Sequence, residues 1–286
     1  MVGLLALPRR LLGLRRLDLP RLLEWAARLG YAARGLVYCG LGAIALLAAL
    51  DLMPQARGAK GVLETWAGWP LGTVLIGAVG CGLTAFAAWR AIEAVFDADR
   101  HGTAPKAWAI RAGQAISGLV YGGLALSAFE LLDVFEDFGE ADETEDLRQT
   151  SAAVLSAPHG DWLLILAGLV VVGFGVGNVI QGLAQDFGHR LACDKVLRRR
   201  VEPLAKVGYA ARGLATLPVG VFLVLAGLQA RADEARSWGQ ALQTVEQQPF
   251  GGFVLGALAA GLIAFGLFGF VEARYRRISP PQDLVT

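Results

Sequence analysis

Charge is scarce in this chain, and histidine and cysteine are scarcer. Asp, Glu, Lys and Arg make up 18% of the residues, with three His and three Cys among 286. An ordinary soluble domain carries about 25% charged residues. That deficit, beside 55% hydrophobic residues and a mean hydropathy of +0.50, excludes a chain whose whole surface faces water. Cys39 and Cys81 lie in apolar runs and Cys193 on a polar connector, so no disulfide framework is indicated and the thiols read as small hydrophobes. No stretch carries two His at haem-ligating spacing, which argues against a b-type cytochrome. His101 and His189 fall at matching points on two connectors, with Cys193 shortly after the second, and read as solvent-facing loop residues rather than metal ligands. There is no Gly-x-Ser-x-Gly, His-Glu-x-x-His or Walker lysine. The expectation is therefore no catalytic residue, no cofactor, no bound metal and no nucleic-acid partner.

What the chain does have is long apolar runs. Six of them, over about 35–53, 71–92, 114–133, 161–183, 208–229 and 251–272, approach the roughly 20 residues that a helix needs to cross about 30 Å of hydrocarbon. Backbone amides in lipid must be satisfied within the segment, and the runs lack the alternation of barrel strands, so helices are expected. The fold class is all-α: a polytopic membrane protein of six transmembrane helices. Twenty-one of the 26 Lys and Arg fall on one side of these spans and 15 of the 25 acids on the other. By the positive-inside rule both termini are cytoplasmic. Residues 1–20 form a basic arm, and the pattern from Pro20 to Leu29, with Trp25, reads as an interfacial helix.

The runs are copies of one unit. Gly30, Ala32, Gly35 and Leu36 reappear in register as Gly113, Ala115, Gly118 and Leu119, and again as Gly208, Ala210, Gly213 and Leu214. The second helix of each unit opens on Pro-x-Gly, at Pro70 to Gly72, Pro158 to Gly160 and Pro249 to Gly251. A proline at a helix start loses no amide bond. The units span 21–97, 106–187 and 200–278, followed by a tail over 279–286, and they suggest three parallel two-helix repeats about a pseudo-threefold axis. With an even helix count per unit, every copy keeps the same orientation, unlike an inverted repeat. Phe86, Phe174 and Phe265 fall at one offset from the proline. Glycine pairs at small-xxx-small spacing, Gly118 with Gly122, Gly173 with Gly177 and Gly252 with Gly256, mark expected close helix contacts.

The Gly-Tyr-Ala-Ala-Arg-Gly opening, the Pro-x-Gly motif and the threefold repetition resemble a bacterial membrane-protein family of unknown function. That family is defined by a transmembrane helix pair occurring three times per chain. The resemblance covers residues 21–278 and implies the fold but no activity. Gln114 and Ser117 replace the Tyr and Arg of the outer copies.

Equivalent polar positions lie at the inner edge of both helices in each unit. Pairing them within units gives Arg34 with Glu93, Ser117 with Gln181 and Arg212 with Glu272, matched in charge every time. Direct contacts of this kind would make a structural clasp or mark a pathway. Tyr38, Tyr121 and Thr216, one turn deeper, are candidates to line a cavity. Arg198, Arg199 and Arg200 suit anionic lipid headgroups, and the acidic stretch from Glu130 to Asp146 reads as a solvated charge run. Expected partners are membrane lipids and another membrane protein. The leading expectation is a structural, scaffold or accessory subunit. The alternatives are a small-solute permease along the threefold axis, and a lipid or quinone site between repeats near Trp89 or Trp108.

Overall fold

The computed structural model describes residues 19–97, 102, 104–133 and 143–278. The described residues form nine α-helices: α1 (Leu19–Ala49), α2 (Ala59–Ala67), α3 (Gly72–Phe96), α4 (Pro105–Asp133), α5 (Glu143–Ser156), α6 (Gly160–Ala184), α7 (Lys195–Gln229), α8 (Trp238–Glu246) and α9 (Gly251–Tyr275). Six of them, α1, α3, α4, α6, α7 and α9, are long and apolar enough to span a bilayer. The expected interfacial helix over 20–29 is not a separate element. It is the first part of α1, which runs unbroken to Ala49.

The connection between the two spans of each unit carries a short helix that the apolar runs did not reveal. Val62 and Leu63 of α2 and Leu242 of α8 are fully buried. A Cβ on Gly40 would sit 2.7 Å from the Trp66 ring. Gly40 is about 13 Å along α1 from its end at Ala49, so α2 is tucked into the half of the bundle at that end. The same elements explain the Pro-x-Gly motif. A side chain on Gly72, Gly160 or Gly251 would overlap the carbonyl oxygen of Trp66, Val154 or Glu246, each in or next to the short helix before it.

The units join head to tail. The extended seams are α1 with α9, α3 with α4, and α6 with α7, so the first helix of each unit lies against the second helix of the unit before it. Within units, α1 packs on α3 and α7 on α9, but among the described residues no extended seam joins α4 to α6. The packing of single glycines shows the same break. A Cβ on Gly30 would lie 2.7 Å from Phe86, and one on Gly208 would lie 2.6 Å from Phe265, whereas the equivalent Gly113 meets nothing within 4 Å.

Glycine makes the between-unit seams, though not through the pairs expected. Gly168, Gly175 and Gly182 of α6 face Gly220, Gly213 and the turn of Ala210 on α7, and Gly35 of α1 faces Gly266 and Gly269 of α9. The seven-residue spacing on α6 keeps the small side on one seam, where two backbones approach within van der Waals reach. Of the expected pairs, Gly173 and Gly177 meet nothing within 4 Å, and Gly252 and Gly256 make only ordinary contacts with Ala49. Gly118 touches the α3 backbone at 3.3 Å, and Gly122 lies at ordinary distance from Ala87.

Candidate functional site: buried arginines at one end of the bundle

The tight α1–α9 seam decides where Arg34 goes. Its Nη2 donates to Glu272 Oε2, a residue of the third unit, and both side chains are buried. The within-unit pairs inferred from the sequence, Arg34 with Glu93 and Arg212 with Glu272, are therefore not the ones formed. Position 4 of a first helix lies on the side that meets the preceding unit, because the glycine beside it at position 5, Gly35, Gly118 or Gly213, touches the backbone of that unit's second helix.

That register pairs a cation with an anion only once. By repeat position the counterparts in the other two seams are Ser117 with Glu93 and Arg212 with Gln181, and neither combination joins a cation to an anion. The chain compensates the stranded acid and leaves the stranded base. Glu93, wholly buried, accepts from Arg90 Nη1 at 2.7 Å, from the Trp89 indole at 2.8 Å and from Arg276 Nη2 at 3.2 Å. Arg276 also donates to Glu272 at 2.8 Å. An isolated antiparallel bridge between Leu191 and Arg276 holds that arginine in place. The result is a continuous chain of ion pairs, Arg34–Glu272–Arg276–Glu93–Arg90, that ties unit 1 to unit 3.

Arg212 has no carboxylate among the described residues. Its Nε donates to Tyr38 Oη at 2.9 Å, while Nη1 and Nη2 reach Asn178 Oδ1 and Tyr121 Oη only at 3.4 Å. It is 7% exposed, and three aromatic faces, those of Tyr38, Phe174 and Phe265, supply the remaining negative potential within 4.8–5.3 Å. Arg34 lies 4.9 Å from the centroid of the same Phe265 ring and 5.1 Å from Phe86 and Tyr31. The repeated phenylalanines thus act as platforms for the two guanidinium groups. Counting ionised side chains in the network, Arg34, Arg90, Arg212 and Arg276 oppose only Glu93 and Glu272, an excess of two positive charges among the described residues.

Of the expected cavity-lining residues, Tyr38 and Tyr121 are buried and turn their hydroxyls to Arg212, and Thr216 bonds back to the Arg212 carbonyl at 2.8 Å. Ser117 is buried, and Gln181 is exposed. Arg199 and Arg200 are exposed on the first turns of α7, and Arg198 meets Asp186 at 3.3 Å. Trp89 faces inward onto Glu93 rather than toward lipid, while Trp108 is exposed with Arg111 over its ring at 4.6 Å. His101 and residues 134–142 of the acidic stretch lie outside the described residues.

Two further arginines escaped the sequence reading. Arg28 donates to the Ala273 and Arg274 carbonyls, both at 2.8 Å, and Arg111 to those of Ala94 and Val95 at 2.6 and 2.8 Å. Each sits two residues before its opening glycine and caps the last turn of the preceding unit's second helix, where orphan carbonyls and the negative end of the helix dipole favour a cation. Lys206 holds the same offset in unit 3 but pairs with Glu202 at 2.8 Å. The signal was present in the sequence as a third recurring position, basic in all three copies.

Fold and site together define a multi-pass α-helical membrane protein built from three copies of a helix pair, with an arginine-rich network buried between the copies. Domain of Unknown Function (DUF1206) matches at 29–97, 112–185 and 207–276, and the chain belongs to that family. It is 29% identical over 255 residues, 88% of this chain and 90% of the relative, to the uncharacterized protein YxxB of Bacillus subtilis (strain 168). No solved structure matches the chain.

Proposed function

We propose that this protein is a structural or accessory component of the bacterial cytoplasmic membrane, with both termini inside, whose buried charges serve helix assembly rather than passage of a solute. The observation that carries this reading is the ion-pair chain from Arg34 to Arg90. It spends its charge on joining units 1 and 3, and the aromatic rings of Tyr31, Phe86 and Phe265 close around Arg34, which is 1% exposed. A permease along the pseudo-threefold axis would need those residues to face a wet path. Proteoliposomes containing the protein are expected to be as tight to small anions and neutral solutes as empty ones. A leak that disappears in the Arg34→Gln and Arg212→Gln variants would overturn the structural reading in favour of the permease. The orientation is tested separately in a background whose only thiol is Cys193 or a Gln248→Cys replacement. An impermeant maleimide is expected to label position 248 in intact cells and Cys193 only after lysis, and the reverse order would invert the topology.

A second reading, an amphiphile held between repeats, is favoured by one specific observation. Among the described residues nothing closes the face between α4 and α6, whereas the equivalent faces in units 1 and 3 are closed by Phe86 against Gly30 and by Phe265 against Gly208.

A further inference from the structure

The three units give an internal comparison. At one offset from the Pro-x-Gly proline, units 1 and 3 carry Trp89 and Phe268, which are 3% and 1% exposed, while unit 2 carries Gly177, with nothing within 4 Å of where its Cβ would stand. Next to the opening glycine, Tyr31 and Tyr209 pack on Phe86 and Phe265. Unit 2 places Gln114 there, nine-tenths buried, its Oε1 without a hydrogen-bond partner among the described residues. At the inner edge, the buried carboxylates Glu93 and Glu272 are replaced by exposed Gln181. Unit 2 thus lacks, in one sector, a large apolar side chain, a phenol and a carboxylate. Arg212, the buried cation without a counter-ion among the described residues, looks onto that sector through Asn178 and the half-buried Phe174 of α6.

Resting on the second reading above, we infer that the opening between α4 and α6 binds a long-chain carboxylic acid, its carboxylate on Arg212 and its chain along Gly173 and Gly177. The protein itself shows the headgroup chemistry in the equivalent seam, where Arg34 is met by the carboxylate of Glu272. A guanidinium fork matches a carboxylate in geometry as well as charge. Depth favours a carboxylate over a phospholipid phosphate. Arg212 is about 26 Å along α7 from its outer end at Gln229, within the roughly 30 Å of hydrocarbon, which is where the acyl carboxyl sits and below the phosphate layer. The wall supports one chain, because glycine rather than a large side chain lines α6 at Gly173 and Gly177.

The test uses the full chain in detergent, titrated with radiolabelled palmitate, with hexadecanol and phosphatidylglycerol as competitors. Saturable palmitate binding is expected, weakened at least about 10-fold by Arg212→Gln, the loss of a charge-assisted pair. Gln181→Glu, which restores the carboxylate found in the other units, is expected to leave the protein folded by circular dichroism and to compete the ligand out. Gly177→Trp, which restores the missing side chain, is expected to block binding sterically. Palmitate binding unchanged in both Arg212→Gln and Gln181→Glu, with hexadecanol competing equally, would overturn the carboxylate assignment and leave an amphiphile site standing. Displacement of palmitate by equimolar phosphatidylglycerol would assign the site to a phospholipid and overturn the inference. No saturable binding of any of the three would overturn both the inference and the second reading.

Discussion

Arg34→Gln is expected to lower the unfolding free energy of the purified protein by about 1.5–3 kcal/mol, because it removes one of the two cations on the buried Glu272 carboxylate and leaves Arg276 as the other. Glu272→Gln should cost more, about 3–5 kcal/mol, since it strands Arg34 and removes one of the two carboxylate acceptors of Arg276. The double variant should cost less than the sum by about 1–3 kcal/mol, as expected for residues in direct contact. The control is the pair that the sequence alone suggested. Arg212→Gln with Glu272→Gln should be additive within about 0.5 kcal/mol, because these residues share no hydrogen bond. Denaturant titration followed by tryptophan fluorescence measures all of these free energies. Additive losses for Arg34 with Glu272 would remove the clasp.

The other large effect lies on the α6–α7 seam. A Cβ on Gly220 would stand 2.7 Å from the Val172 amide nitrogen and 3.0 Å from the Gly168 oxygen. These are backbone atoms that cannot swing aside, so the two helices must part. Gly220→Ala is expected to cost about 1–3 kcal/mol from overpacking, outweighing the roughly 1 kcal/mol gained in helix propensity, and Gly220→Leu more. Gly173→Ala, on the same pair of elements but facing open space, should be neutral or stabilising by up to about 1 kcal/mol. Thermal unfolding of the three variants in one detergent gives the ordering. If Gly173→Ala is as harmful as Gly220→Ala, α6 presents a different face to α7 from the one described.

Helix count and repeat structure were legible because each rests on a strong local signal: about 20 apolar residues per span, and a motif recurring in register. The position of the arginines was legible too, since a cation recurring at the edge of an apolar run must find a partner. Which partner it finds was not. Within-unit pairing matched charge in all three copies, while head-to-tail pairing leaves Glu93 and Arg212 without their symmetric partners. The resolution lies in positions whose chemistry changes from copy to copy: Tyr38 and Tyr121 share a register that Thr216 breaks, Arg90 shares one with Asn178, and Arg276 has no basic counterpart in the other units. The glycines misled for a related reason. Small-xxx-small spacing shows that a helix face is narrow but not whether another helix lies against it. Gly173 and Gly177 border the open sector, while Gly168, Gly175 and Gly182, one turn round the same helix, make the seam. Helices α2 and α8 are only nine residues each, too short to stand out as apolar runs.

Head-to-tail joining of the units is tested most directly by cysteine cross-linking in a chain whose native Cys39, Cys81 and Cys193 are replaced by Ser. A Cβ on Gly256 would lie 3.8 Å from the Ala49 Cβ, the separation of a relaxed disulfide, about 3.8 Å. Ala49→Cys with Gly256→Cys should therefore close an intramolecular bond between α1 and α9 on mild oxidation. Gly113→Cys with Phe174→Cys, the middle unit's counterpart of the Gly30–Phe86 contact, should stay reduced. A bond between 113 and 174 with none between 49 and 256 would mean that the copies pack as separate helix pairs.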